Sequence, residues 1–264
     1  MKSLALMWRG AKKRGRPVTI PFQSLADIVE FHTGQLAVLA GGPGGGKSLL
    51  ATNWVHRSTD NILYVALDDA TSIRNRLSAL ALGRSARDFH SDDADYWYER
   101  LDAGEKGNLF ITEGVQTVES IEANIIASHE FWGEYPTLVI IDNLKDIHME
   151  GSNQGETGFY TVIVPALKDL AAKYDVAILG LHHVLRRSGE KGKDYGDGTT
   201  PLNLTSLLFG GERDAALVLG VYQTYNRDGI YVQILKQRDG EADAKGFLKV
   251  RLDWNPDTGT LWSR

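Results

Sequence analysis

Gly41-Gly42-Pro43-Gly44-Gly45-Gly46-Lys47-Ser48 follows an apolar run at residues 35–40 and precedes a stretch of helical periodicity at residues 47–57. The segment fits G-x-x-x-x-G-K-S, and it stands between a strand and a helix, as that motif requires. Glycine lets successive backbone N–H groups turn inward around an anion, while the first turn of the helix adds free donors and the positive end of its dipole. The chain is thereby committed to a strand-loop-helix unit, whose repetition builds a mostly parallel sheet with helices packed against it. Gly42, Pro43, Gly44, Gly45, Gly46, Lys47, Ser48 and Leu49 are the expected cradle of a nucleoside triphosphate. Lys47 is expected to reach the β and γ phosphates, and Ser48 to ligate Mg2+.

A chain of 264 residues, 42% hydrophobic and 24% charged, can bury one large core and suits a single α/β domain. Its 29 Lys and Arg against 34 Asp and Glu leave a formal charge of -5, so any nucleic-acid contact must come from local basic patches. The absence of cysteine excludes disulfides, zinc-thiolate sites, iron-sulfur clusters and thiol nucleophiles. The longest apolar pieces, such as residues 137–141 and 215–221, fall far short of a bilayer span, so no membrane association is expected. Near the start, residues 4–8 are apolar but are followed by a basic cluster, an order and length wrong for a secretory signal; a cytoplasmic location is expected. Lys2, Arg9, Lys12, Lys13, Arg14 and Arg16 all precede the first acid, Asp27. Residues 1–26 therefore read as a basic N-terminal arm, and residues 27–264 as the folded domain.

Strands are predicted at residues 35–40, 61–67, 109–112, 137–142 and 176–182, with helices at 47–57, 72–82, 118–131 and 159–174. After Pro201 the alternation stops. Three strand-like runs, with turns at Asn226-Arg227-Asp228-Gly229 and Arg238-Asp239-Gly240, predict an antiparallel close to the sheet. Residues 88–105 hold seven acids against one base and read as a solvated excursion.

Thr137-Leu138-Val139-Ile140-Ile141-Asp142 is an apolar strand ending in an acid, the position from which a nucleotide-binding sheet holds Mg2+ through its water shell. Three further stretches carry a family resemblance. Asn61-Ile62-Leu63-Tyr64-Val65-Ala66-Leu67-Asp68-Asp69, with the helix through Arg74 and Leu80, resembles the second strand and helix of RecA-like hexameric helicases, where an acid ends the strand. Ile178-Leu179-Gly180-Leu181-His182-His183 resembles their γ-phosphate-sensing strand, and its double His is closest to the plasmid RepA type. Ile234-Leu235-Lys236-Gln237-Arg238-Asp239-Gly240 resembles the lysine and arginine motif near the C-terminus of the DnaB helicase core. The resemblance spans about residues 30 to 254. It implies a RecA-like P-loop NTPase core: an α/β fold whose mostly parallel, twisted sheet is flanked by helices and ends in C-terminal antiparallel strands.

The same resemblance implies roles. Asp68 activates the attacking water, with Asp69 as the alternative, and Asp142 and Ser48 hold the metal. His183, or else His182, reports on the γ-phosphate. Lys236 and Arg238 serve the site of the adjacent subunit in a homo-oligomer, a hexameric ring in this family, with ATP and Mg2+ as cofactors. Leu208-Phe209-Gly210-Gly211-Glu212 is only superficially like the signature of ABC-transporter ATPases, which precedes the metal-binding strand, whereas here it follows Asp142. Polar segments at residues 144–157 and 185–203 leave the carboxyl ends of neighbouring strands, where such rings line their channel. Arg186, Arg187, Lys191 and Lys193 outnumber Glu190 and Asp194 in the second. Six copies bring roughly +12 to a channel, enough to hold single-stranded DNA without reading its sequence. The expected function is an ATP-dependent DNA helicase or translocase acting in replication. A recombination or repair ATPase that does not unwind, and a DNA-independent regulatory ATPase, are the alternatives.

Overall fold

The computed structural model describes residues 15–90, 107–149, 156–184, 198–207 and 211–263. Its strands are β1 (Leu36–Gly41), β2 (Ile62–Ala66), β3 (Leu109–Glu113), β4 (Leu138–Asp142), β5 (Ala177–His183), β6 (Leu217–Gln223), β7 (Gly229–Gln237), β8 (Lys249–Asn255) and β9 (Thr260–Ser263). Its helices are α1 (Gln23–Ala26), α2 (Lys47–Arg57), α3 (Ala70–Leu82), α4 (Val118–Trp132), α5 (Glu156–Tyr174) and α6 (Gly211–Asp214). The strands form one sheet in the order β3-β2-β4-β5-β1-β6-β7-β8-β9. Neighbours from β3 to β6 are parallel, and β7, β8 and β9 extend the sheet antiparallel.

Every residue of β1 and β2 is buried, and so are the first four of β4. Neither face of these strands meets water, so their sequences are continuous apolar runs without polar alternation. On one face Leu50 and Trp54 of α2 pack with Leu39, Tyr64 and Ile140; on the other, Ile121 and Ile125 of α4 and Leu167 of α5 pack with Leu36, Val139 and Ile141. Each such side chain contributes about 1.5–3 kcal/mol on burial, more than the helix propensities at stake in the same segments. The helices stop and start at residues that satisfy their terminal groups. Asp69 caps α3 by accepting from Ser72 N at 2.9 Å, Thr117 and Ser120 form a reciprocal cap on α4, and Gly83 and Gly133 close the two helices with φ of 62° and 74°.

Gly41 lies opposite His183, and Ala66 opposite Asp142. This register finishes β1, β2, β4 and β5 at one edge, the edge where open α/β sheets bind their ligands.

Three expectations change. Residues 15–26 join the body: Pro17 bridges His32, and Val18, Phe22 and Leu25 are buried in the core around α2; of the arm's six basic residues this stretch holds only Arg16. Residues 1–14 lie outside the described part of the chain. The acidic segment begins with a short 3-10 turn, Ala86–His90, whose Phe89 is buried; residues 91–106 are not described. The C-terminal part has four antiparallel-paired strands rather than three. The missed one, β9, is only four residues long, below the length at which alternation is readable, and the expected tight turn after Gln237 is a longer connection over residues 238–248.

Candidate nucleotide-binding site

At the carboxyl edge of the sheet a cavity of about 480 Å³ opens over the loop between β1 and α2. Gly44 and Gly46 take φ of 68° and 103°, backbone available to glycine at little cost. The Lys47 ammonium is buried against its own loop, donating to Gly41 O at 2.9 Å and Gly42 O at 3.0 Å, with His183 Nδ1 3.4 Å away. Burial lowers its pKa to about 8, against the opposing pull of the Asp142 carboxylate. His183 is pushed down to about 4, first by burial and then by the charges of Lys47 and Lys145. At neutral pH its ring is uncharged, so it can accept through Nδ1 and donate through Nε2.

Asp142 and Ser48 line a neighbouring recess of about 100 Å³ together with Asp68, Asp69 and Arg76. The fully buried Tyr64 hydroxyl donates to Asp142 Oδ2 at 2.8 Å, which fixes the rotation of the carboxylate. Burial and the same carboxylate raise the Tyr64 pKa well above its ordinary value, so the phenol stays protonated. A hydroxyl and a carboxylate are hard oxygen donors that suit Mg2+, an ion that keeps much of its water and relies on substrate phosphates. Although Asp68, Asp69 and Asp142 border this recess, no three His, Asp or Glu side chains among the described residues are placed to hold a metal ion together.

Asp68 borders both spaces, whereas Asp69 borders only the recess and spends its carboxylate on the N-terminus of α3. His183 faces the loop; His182, one residue earlier on the strand, is buried opposite Ala40 and does not line the cavity. The alternating side-chain directions of β5 separate the two histidines, while the two aspartates, past the end of β2, are separated by the capping role of Asp69. Gly44, Gly45, Gly46, Ser48 and Leu49 line the cavity. Gly42 stands behind it, its carbonyl taking the Lys47 ammonium and the Gly45 N–H.

Lys236 and Arg238 are elsewhere. β7 is antiparallel to β6, so its end returns to the opposite edge of the sheet, where Arg238 N donates to Ala216 O just before β6 begins. Arg238 is one residue past the strand, and the Lys236 ammonium is turned onto the backbone carbonyls of Glu212 and Arg213 in α6. Burial and the nearby Arg238 charge lower the Lys236 pKa. Arg186, Arg187, Lys191 and Lys193 lie outside the described residues. Sequence reasoning missed Tyr64, Arg76, Gln223 and Trp254, all tied to this site or lining it. Tyr64 is hidden inside an apolar strand, and the others come from separate elements with no spacing signal.

No helix among the described residues is long and apolar enough to cross a membrane. The gene 65 protein of Mycobacterium phage L5 is 25% identical over 239 residues, covering 86% of this chain and 85% of that protein. Among solved structures, an ATPase domain matches with a TM-score of 0.78 at 20% identity, over 98% of this chain and 95% of that one. A DnaB-like replicative helicase, studied for its interactions with primase, matches with a TM-score of 0.76 at 18% identity, over 99% of this chain and 67% of that one. The fold is therefore that of RecA-like DnaB ATPase domains. A family model described as an AAA domain matches residues 21–189, which contain the phosphate loop, Asp68, Asp142 and His183, and the chain belongs to that family.

Proposed function

We propose that the chain is an ATP-dependent DNA helicase or translocase of the RecA-like hexameric class, hydrolysing ATP at sites shared between subunits and moving on single-stranded DNA in replication. The observation that carries this reading is the separation of the two halves of the chemistry. Seven residues of β6, at about 3.3 Å each, put roughly 20 Å between the phosphate loop and Arg238, several times the reach of an arginine side chain. Lys236 and Arg238 are therefore out of reach of their own chain's phosphates, which supports a role for them at the site of another subunit. The similarity to a DnaB-like replicative helicase supports the replicative role.

In this mechanism Lys47 leaves its own loop carbonyls to meet the β and γ phosphates. Asp68 orients and deprotonates the attacking water. The uncharged His183 donates through Nε2 to the γ-phosphate, and the neighbour's Arg238 stabilises the charge that grows in the transition state. Ser48 and Asp142 would hold Mg2+, which would neutralise charge on the phosphate oxygens. Arg186, Arg187, Lys191 and Lys193 hold the DNA backbone, and each lost contact flattens the log-log salt dependence of binding by about 0.7.

The test is ATP turnover with and without single-stranded DNA over a range of protein concentrations, followed by strand displacement on a forked duplex. Turnover per subunit should rise with concentration and with DNA. Stimulation without displacement transfers the reading to a recombination or repair ATPase, and a rate indifferent to DNA transfers it to a regulatory one.

A further inference from the structure

Gln223 ends β6 beside the apex of the phosphate loop. Its side-chain Nε2 donates to Gly44 O at 2.7 Å, while its backbone N–H donates to Gly198 O at 2.8 Å. Gly198, with φ of 70°, lies so close to the loop that a Cβ there would stand 2.8 Å from both Gly45 N and Pro43 O. From the β6 side, Val221 O would meet a Cβ on Gly41 at 2.9 Å and one on Gly45 at 3.1 Å. Three separate backbone segments thus interlock, with glycine where they touch.

The peptide joining Gly44 to Gly45 is consequently held from both sides. Gln223 takes its carbonyl, and Gly42 O takes its N–H at 3.0 Å. That matters because glycine loses more backbone freedom on ordering than any other residue, and five of the eight loop positions are glycine. A loop ordered only by its ligand would bind phosphates weakly; one ordered beforehand binds them at less entropic cost. The geometry points to Gln223 as a positioning residue that, with Gly198, pre-sets the apex of the phosphate loop for the β and γ phosphates. This rests on reading the cavity as an ATP site, and it gives Gln223 a part that is played through the loop rather than by touching substrate.

The experiment uses the full chain and measures binding of MgATP, magnesium tripolyphosphate and adenosine. Gln223→Met keeps the length of the side chain and removes its donor. Gly198→Ala adds the methyl group that the loop has no room for. Gln223→Met should weaken MgATP and tripolyphosphate by the same factor, about 3- to 10-fold, as expected for one neutral hydrogen bond; Gly198→Ala should weaken both by an equal factor of at least that size, and both variants should leave adenosine binding as it is. A merely structural role would weaken adenosine as much as tripolyphosphate and lower the melting temperature of the nucleotide-free protein; that outcome overturns the proposal. Unchanged tripolyphosphate binding by both variants overturns it too. Failure of the unmutated chain to bind either phosphate compound overturns instead the ATP-site reading on which the clasp rests.

Discussion

If Arg238 acts only on a neighbour, two dead variants should revive each other. Arg238→Ala leaves the phosphate loop intact but removes the transition-state charge, and Lys47→Ala removes the loop lysine but keeps Arg238. The seven residues of β6 and the reversal into β7 separate the two positions within one chain by about 20 Å, so neither defect disturbs the other directly. An arginine supplied by a neighbouring subunit is worth roughly 10³-fold or more in turnover, so Arg238→Ala alone should hydrolyse ATP at about a thousandth of the normal rate while binding it normally. In an equal random mixture, a site works only where an Arg238→Ala subunit meets a Lys47→Ala neighbour in the right order. The chance is about one in four at each interface of a symmetric ring, so activity should recover to about a quarter of normal. The assay is steady-state phosphate release across mixing ratios, with co-assembly checked by sedimentation. A co-assembled mixture no more active than the sum of its parents would refute the shared site.

Three other outcomes follow from the geometry. Asp68→Asn should bind ATP and hydrolyse it slowly, whereas Asp69→Ala should lose about 1 kcal/mol of stability from the uncapped α3 and retain turnover, as read by denaturant midpoint and phosphate release. The reverse pattern would exchange the two assignments. Tyr64→Phe removes the donor to Asp142 and should cost about 1–2 kcal/mol in urea unfolding while raising the Mg2+ concentration needed for half-maximal turnover; an unchanged Mg2+ requirement would show that the carboxylate orients itself. His183, held down to about 4, should show no NMR titration near its ordinary value of 6.5. As pH falls from 6.5 towards 4, the unfolded chain takes up a proton that the native ring refuses, so this position withdraws stability over that window, and His183→Gln should lose less stability there than the unmutated chain.

The parts of the fold that could be read from sequence are those where burial is complete. β1, β2, β4 and β5 sit between two helical layers, so their lack of polar alternation is itself the signal, and each predicted range lies within two residues of the observed one. The phosphate loop was equally plain, because its chemistry depends on consecutive backbone groups and hence on consecutive letters. Contacts between distant segments have no such signature. Nothing in the letters around Gln223 says that its amide ends on Gly44, 179 residues away in the chain, or that Tyr64 inside an apolar strand meets Asp142. Residues 15–26 were grouped with the basic stretch before them for a related reason: the charge of residues 2–14 is visible along the chain, while the anchoring of Phe22 and Leu25 exists only against α2.

The position of Lys236 and Arg238 lies between these cases. Their identification as a pair and their role on a neighbouring subunit both came from resemblance. Yet the tight turn at residues 224–228 was readable from Asn226-Arg227-Asp228-Gly229, and a tight turn forces the next strand to run back antiparallel. Since β6 runs parallel to β1, its end lies at the phosphate-loop edge, and the strand leaving that turn must finish at the other. Once β6 is known to lie beside β1, the sequence alone requires that Arg238 cannot reach the loop of its own chain. What the letters lack is that one neighbour relation, which the buried partnership of Ala37 through Ala40 with Leu217 through Gly220 supplies.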